Sequence, residues 1–123
     1  MKEDIAEWIK IAEDNLNTAE LLYQNEKFLD ASYYCQQVAE KSFKAVQVYK
    51  LKRFDKIHDL HKLAESVKAP TSILRGIEKL DRYYVATRYP ALDDKMNVNE
   101  EDVEVAISAA KEVLEWAKST LKY

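Results

Sequence analysis

An all-α protein folded as a single domain is what this sequence predicts, and three observations carry that reading. Glycine occurs once and proline twice in 123 residues, which leaves almost nothing to build hairpin turns with. Apolar residues, 47% of the chain, recur at three- and four-residue steps over five stretches rather than alternating. Residues suited to helix ends fall between those stretches. The length allows one hydrophobic core without disulfides or a structural metal, and no linker, repeat or low-complexity segment divides it. Residues 1–123 therefore read as one domain.

Ile5, Trp8, Ile9, Ala12, Leu16, Ala19 and Leu22 form one stripe along a first helix of roughly six turns, closed near Asn25 and Lys27. Ala31, Tyr34, Cys35, Val38, Ala39, Ser42, Ala45, Val46 and Tyr49 form the second, with Asp30 as its expected N-cap. Small residues in this stripe permit close helix contact. After a basic, aperiodic stretch from Leu51 to Ile57, a short helix is expected from about Asp59, and Ala69-Pro70 ends it. Thr71 or Ser72 is suited to cap a fourth helix with Ile73, Ile77, Leu80 and Tyr84 on its apolar side. Pro90 disfavours helical geometry at Tyr89, so this helix should stop near Thr87 or Arg88. Asn99-Glu100-Glu101-Asp102 then sets a capping side chain and three carboxylates at the positive end of a helix dipole. Val103, Ala106, Ile107, Ala110, Val113, Leu114, Ala117 and Leu121 carry the last stripe.

The net charge of −3 excludes a polycation that coats nucleic acid or anionic membrane, so any anion site must be local. The charge is uneven: Lys41 to Lys62 holds seven Lys or Arg against two Asp, a local balance of +5, which leaves −8 for the rest. A solvated helix face and loop is the ordinary reading of such a stretch, and an anion site is the sharper alternative. Lys41 and Lys44 are expected on the polar side of the second helix, followed by Arg53, Lys56, His58 and His61. Asp93 to Glu104 carries −5 and would repel phosphate. Arg88 and Tyr89, just before the chain turns at Pro90, offer a bidentate grip on phosphate and a ring for stacking on a base.

Arg53 and His58, with four residues between them, have side chains that a ribonuclease uses: imidazole to move protons, guanidinium to neutralise the pentacoordinate phosphate. Unrelated surface residues in a basic turn are the more ordinary explanation of that spacing. His58-Asp59-Leu60-His61 supplies two imidazoles but no further ligands of zinc spacing, so no metal site and no cofactor is assigned. A chain with one glycine has no Walker loop and no GxGxxG run. The lone Cys35, within an apolar stripe, reads as a buried free thiol of a reducing compartment. No cationic-then-apolar leader opens the chain and no apolar run approaches the ~20 residues that span a bilayer, so a cytoplasmic protein without membrane association is expected.

Together these segments resemble the HEPN domain, the helical domain of higher eukaryotes and prokaryotes. Trp8, Ala12, Asn15-Leu16 and Ala19 match it in the first helix. Phe28, Ala31, Tyr34, Gln36-Gln37, Ala39-Glu40-Lys41 and Lys44-Ala45 match it in the second, followed by His58-Asp59-Leu60 with Leu63, then Tyr83 and Arg88-Tyr89-Pro90. The resemblance spans roughly residues 5 to 90, the last helix agreeing in pattern only. It implies an antiparallel up-and-down bundle of four to five helices, commonly a homodimer, that binds nucleotides. It also implies a minimal nucleotidyltransferase partner, with the helical protein as toxin and the transferase as antitoxin. Charge and position put the expected nucleotide-binding residues at Lys41, Lys44, His58, Arg88 and Tyr89. Ribonucleases of the superfamily resemble one another in an Arg-x4–6-His motif on a later helix, and here no histidine follows Arg88. A binding module is thus the leading expectation, with a metal-independent endoribonuclease using Arg53 and His58, or a purely structural dimerisation domain, as alternatives.

Overall fold

A computed structural model describes residues 2–81 and 98–122, and those residues form five helices and no strand. They are α1 (Lys2–Gln24), α2 (Phe28–Leu51), α3 (Leu60–Ser66), α4 (Thr71–Asp81) and α5 (Glu100–Leu121). None of them is long and apolar enough to cross a membrane.

The three residues between α1 and α2 reverse the chain. Glu26 takes a left-handed conformation, φ 60°, and the Lys27 amide donates to the Leu22 carbonyl at 2.8 Å, closing the last turn of α1. Helix α2 then begins at Phe28, two residues before the expected cap. Its N-cap position is Lys27, which makes no side-chain capping bond, and Asp30 lies in the first turn, where a carboxylate still favours the positive end of the dipole. Phe28 packs against Tyr23, ring centroids 6.1 Å apart, so an aromatic contact across the reversal accompanies the earlier start.

Contacts along α1 and α5 run in opposite order. Tyr23 Oη donates to Glu104 at 2.6 Å and to Glu100 at 3.2 Å, Lys111 pairs with Glu20 at 3.7 Å and Lys118 with Glu13 at 2.7 Å. Residue numbers rise on one helix as they fall on the other, so α1 and α5 are antiparallel. The short reversal makes α1 and α2 antiparallel as well. Helix α4 packs against both α5 and α2 to complete an up-down-up-down bundle, with α3 in the connection between α2 and α4.

Helix α2 is the hub and touches all four others. Ala31, Ser32, Cys35, Ala39, Ser42 and Ala45 are each at most 1% exposed, and their small side chains let neighbouring backbones come close. Burial pushes the Cys35 thiol up to about 12, assisted by the Glu20 charge, so it is held as an inert thiol.

The helix ends follow the sequence closely elsewhere. Asp59 caps α3 by accepting from the Lys62 amide at 3.1 Å. Asn99 and Asp102 form a reciprocal capping box at the start of α5, at 2.9 and 3.1 Å. All eight residues of the expected last stripe are buried. At α4 the Pro70 carbonyl receives the Ile73 and Leu74 amides at 2.9 and 3.1 Å, so Thr71 is the first helical residue rather than a flanking cap. The expected end of this helix near Thr87 or Arg88, and Tyr84 of its stripe, lie outside the described residues.

Candidate functional site

The basic stretch is organised by one carboxylate. Glu40, in the middle of α2, is 2% exposed. Its Oε2 accepts from Lys41 Nζ at 3.1 Å and Lys44 Nζ at 3.2 Å, and its Oε1 meets His58 Nδ1 at 2.9 Å. Burial alone pushes this carboxyl up. The His58 hydrogen bond and the Lys41 and Lys44 charges outweigh burial and hold it below its usual 4.5.

The lysines therefore differ from the expected polar-side pair. Lys44 is 5% exposed, turned inward as an i,i+4 partner of Glu40, and Lys41 is half-buried beside it. Both ammonium groups also approach the Trp8 ring of α1, 5.7 and 5.8 Å from its centroid, a favourable arrangement for cations against a π-face. Trp8 meets Phe54 edge to face at 5.0 Å. Apolar periodicity assigned Trp8 to the core, and Phe54 lay in the aperiodic stretch, so neither stood out. The signal for Glu40 was the four-residue spacing of Gln36, Glu40 and Lys44, which puts a carboxylate one helical turn before a lysine.

Arg53 and His58 are held by different carboxylates. Arg53 pairs with Asp55, whereas His58 is bound to Glu40. Since a carboxylate accepts, Nδ1 carries the proton in that bond, and Nε2 is the nitrogen left to face a ligand on a side chain that is 54% exposed. His61 does not share a site with His58, because its Nε2 lies 2.9 Å from Asp81 at the end of α4. Burial raises the Asp81 carboxyl, the His61 charge opposes that, and Asp59 and Glu78 add to the rise. Arg88 and Tyr89 lie outside the described residues.

Gln47 fixes the loop that carries Arg53 and Phe54. It is fully buried, its Oε1 accepts the Asp55 amide at 3.0 Å, and its Nε2 donates to Asp55 Oδ2 at 3.0 Å and Ser66 Oγ at 2.9 Å. Lys50 Nζ reaches the Val67 carbonyl at 3.0 Å, tying the ends of α2 and α3 together.

Removing the Glu40 charge leaves Lys44 buried without its counter-ion, so Glu40→Gln should cost about 3 kcal/mol at pH 7. Because the folded carboxyl is depressed, its stabilisation is complete above 4.5 and is lost as pH falls through the folded value. Denaturant unfolding from pH 7 to pH 2 should show that acid loss in the wild type and a shallower one in the variant. Equal stabilities and equal slopes would refute the central role given to Glu40.

The HEPN domain family model matches residues 5–120. A Methanocaldococcus jannaschii protein named as a candidate toxin, MJ1304, is 29% identical over 132 residues, covering 94% of this chain and 86% of the relative. TT1696 from Thermus thermophilus superposes with a TM-score of 0.84 at 22% identity, over 94% of this chain and 97% of that one, a likeness of fold. ST0689, described as an archaeal HEPN homologue, gives 0.78 at 27% identity, over 94% and 95%. A family match from the first helix to the last, on a bundle shared with a solved HEPN homologue, means that this chain belongs to the HEPN domain family.

Proposed function

We propose that the chain is the toxin-type half of a two-component module, a homodimer that binds a nucleotide or RNA phosphate at the Lys41–Lys44–His58 corner and engages a minimal nucleotidyltransferase as its partner. The observation that carries the ligand is the convergence of two ammonium groups and an exposed imidazole on one buried carboxylate. Two lysines against one glutamate leave the corner positive even with His58 neutral, and charge-assisted hydrogen bonds to phosphate are among the strong ones available to a protein. The toxin role and the transferase partner draw support from family membership and from the similarity to MJ1304. Surface apolar residues such as Leu21, 59% exposed, and Val105, 48% exposed, are consistent with an interface between copies.

A second reading has one specific observation in its favour. The Glu40–His58 bond fixes the imidazole with Nε2 outward, the arrangement a general base needs. Arg53 offers less, since Asp55 offsets its charge.

Titration of isotope-labelled protein with ATP should move the amides of Lys41, Lys44 and His58, and Lys41→Ala should weaken binding about tenfold through one lost charge-assisted contact. Shifts confined to residues 100–123 would overturn the assignment. Light scattering of the same sample should return about twice the 14.3 kDa chain mass, and a monomer at tens of micromolar would count against the dimer. Incubated with structured and unstructured RNA, the wild type should cleave neither above background. Cleavage that disappears in His58→Ala would move the endoribonuclease reading ahead.

A further inference from the structure

Beside the cationic corner, a cavity of about 270 Å³ opens between α1, the C-terminal half of α2 and the loop after it. Ile11 and Val48 line it together with the Trp8 and Phe54 rings, and Asp4 and Glu7, which precede Trp8 on α1, line it too. Phe54 is 40% exposed, an unusual cost for a phenylalanine that could turn inward. The loop is not free to let it do so, because Gln47 holds Asp55 from within. The ring is thus kept at the mouth of an apolar slot, edge-on to a tryptophan whose centroid lies within 6 Å of two lysine ammonium groups.

We infer that this slot receives the aromatic base of a nucleotide, or of an RNA nucleotide, whose phosphate is gripped by Lys41 and His58, with the buried Lys44 adding its charge from beneath. The inference rests on the phosphate reading above and extends it with a base site. Size agrees: the cavity is near the lower end of ligand pockets, which begin at about 300 Å³, and suits one flat ring system rather than an extended molecule. Chemistry agrees as well, since aromatic walls stack on any base, and stacking is a main source of sequence-tolerant binding.

Charge sets the direction. Asp4 and Glu7 repel phosphate and the lysines attract it, so the phosphate lies at the lysine end and the outer edge of the base points to the carboxylates. Carboxylates accept hydrogen bonds, which favours the bases with an exocyclic amino group, adenine, guanine and cytosine, over uracil, whose edge presents two carbonyl oxygens around a single N–H donor. The larger purine ring also gains more from stacking.

Tryptophan fluorescence and calorimetry with ATP, UTP and inorganic tripolyphosphate separate the two levels. The wild-type protein should bind ATP about five- to a hundredfold more tightly than tripolyphosphate, as expected for one stacked base, and only nucleotides should quench Trp8. UTP should fall between them. Phe54→Ala should bring ATP down to the tripolyphosphate level while leaving tripolyphosphate binding unchanged, with thermal unfolding verifying that the exposed position tolerates the change. Trp8→Phe should retain the ATP preference and lose the quench, since it keeps an aromatic wall. A short oligoadenylate in place of ATP tells an RNA nucleotide from a free one, and binding of either supports the slot. Equal affinity for ATP and tripolyphosphate, or ATP binding indifferent to Phe54→Ala, would overturn the base site and leave the phosphate site standing. Equal affinity for UTP and ATP would overturn the orientation. No binding of any of the three would overturn both.

Discussion

A carboxylate buried in the middle of the central helix is the constraint around which the rest of this bundle is arranged. Helix α2 has neighbours on all sides, yet it carries Gln36, Glu40, Lys44 and Gln47, each at most 5% exposed. Spaced four, four and three residues apart, they form one polar line along a helix with little access to water. Leaving any of them unpaired costs the full desolvation of the group, and for a charge that cost is several kcal/mol. Each partner comes from a different part of the chain. Gln36 donates to the Leu80 carbonyl of α4 at 2.8 Å, Glu40 binds His58 beside its own lysines, and Gln47 holds Asp55 and Ser66. The polar line thereby selects where the loop after α2, the third helix and the fourth helix can rest, which apolar packing alone leaves far less specified.

The cationic corner follows from that requirement. Glu40 needs cations to remain charged where it is, and the cations that satisfy it belong to the stretch of the chain with a strongly positive balance. Glu40 thereby supports both the bundle and the proposed ligand corner, and a substitution there acts on both at once. Phe54 differs: it reaches the surface and completes no buried pair, so its substitution is expected to spare the bundle, whereas Lys41 is half-buried and itself binds Glu40.

Helix positions were legible in the sequence wherever a local rule sufficed. Asn99 with Asp102, Asp59 ahead of Leu60, and the last apolar stripe each depend on contacts within a few residues, and each is found as expected. Asp30 is not the cap, since α2 starts at Phe28, where the ring packs against Tyr23 across the reversal. The same limit applied at the site. Lysines at positions 41 and 44 on a helix read as solvent-facing, and although the Glu40–Lys44 spacing of four announces a pair, nothing local reveals that the helix around it is surrounded on all sides. His58 was identified by its place in a basic turn, whereas its role depends on a partner 18 residues away. Trp8 and Phe54 are 46 positions apart in the sequence, and only the antiparallel pairing of α1 and α2 brings them to one cavity.

Likeness of fold and likeness of function separate at this point. At 22% identity TT1696 keeps the whole bundle, because a bundle needs only apolar residues at the right spacing, small ones where helices cross, and caps at the ends. None of those demands specifies an imidazole fixed on a buried glutamate, two lysines against a tryptophan face, or a phenylalanine held at the surface by a loop clamp. Such features contribute little to apolar packing and carry a cost in desolvation or exposure. The proposed ligand site accounts for that cost, and a HEPN bundle that kept its helices while replacing Phe54 and Lys41 equivalents would share this fold without sharing that site.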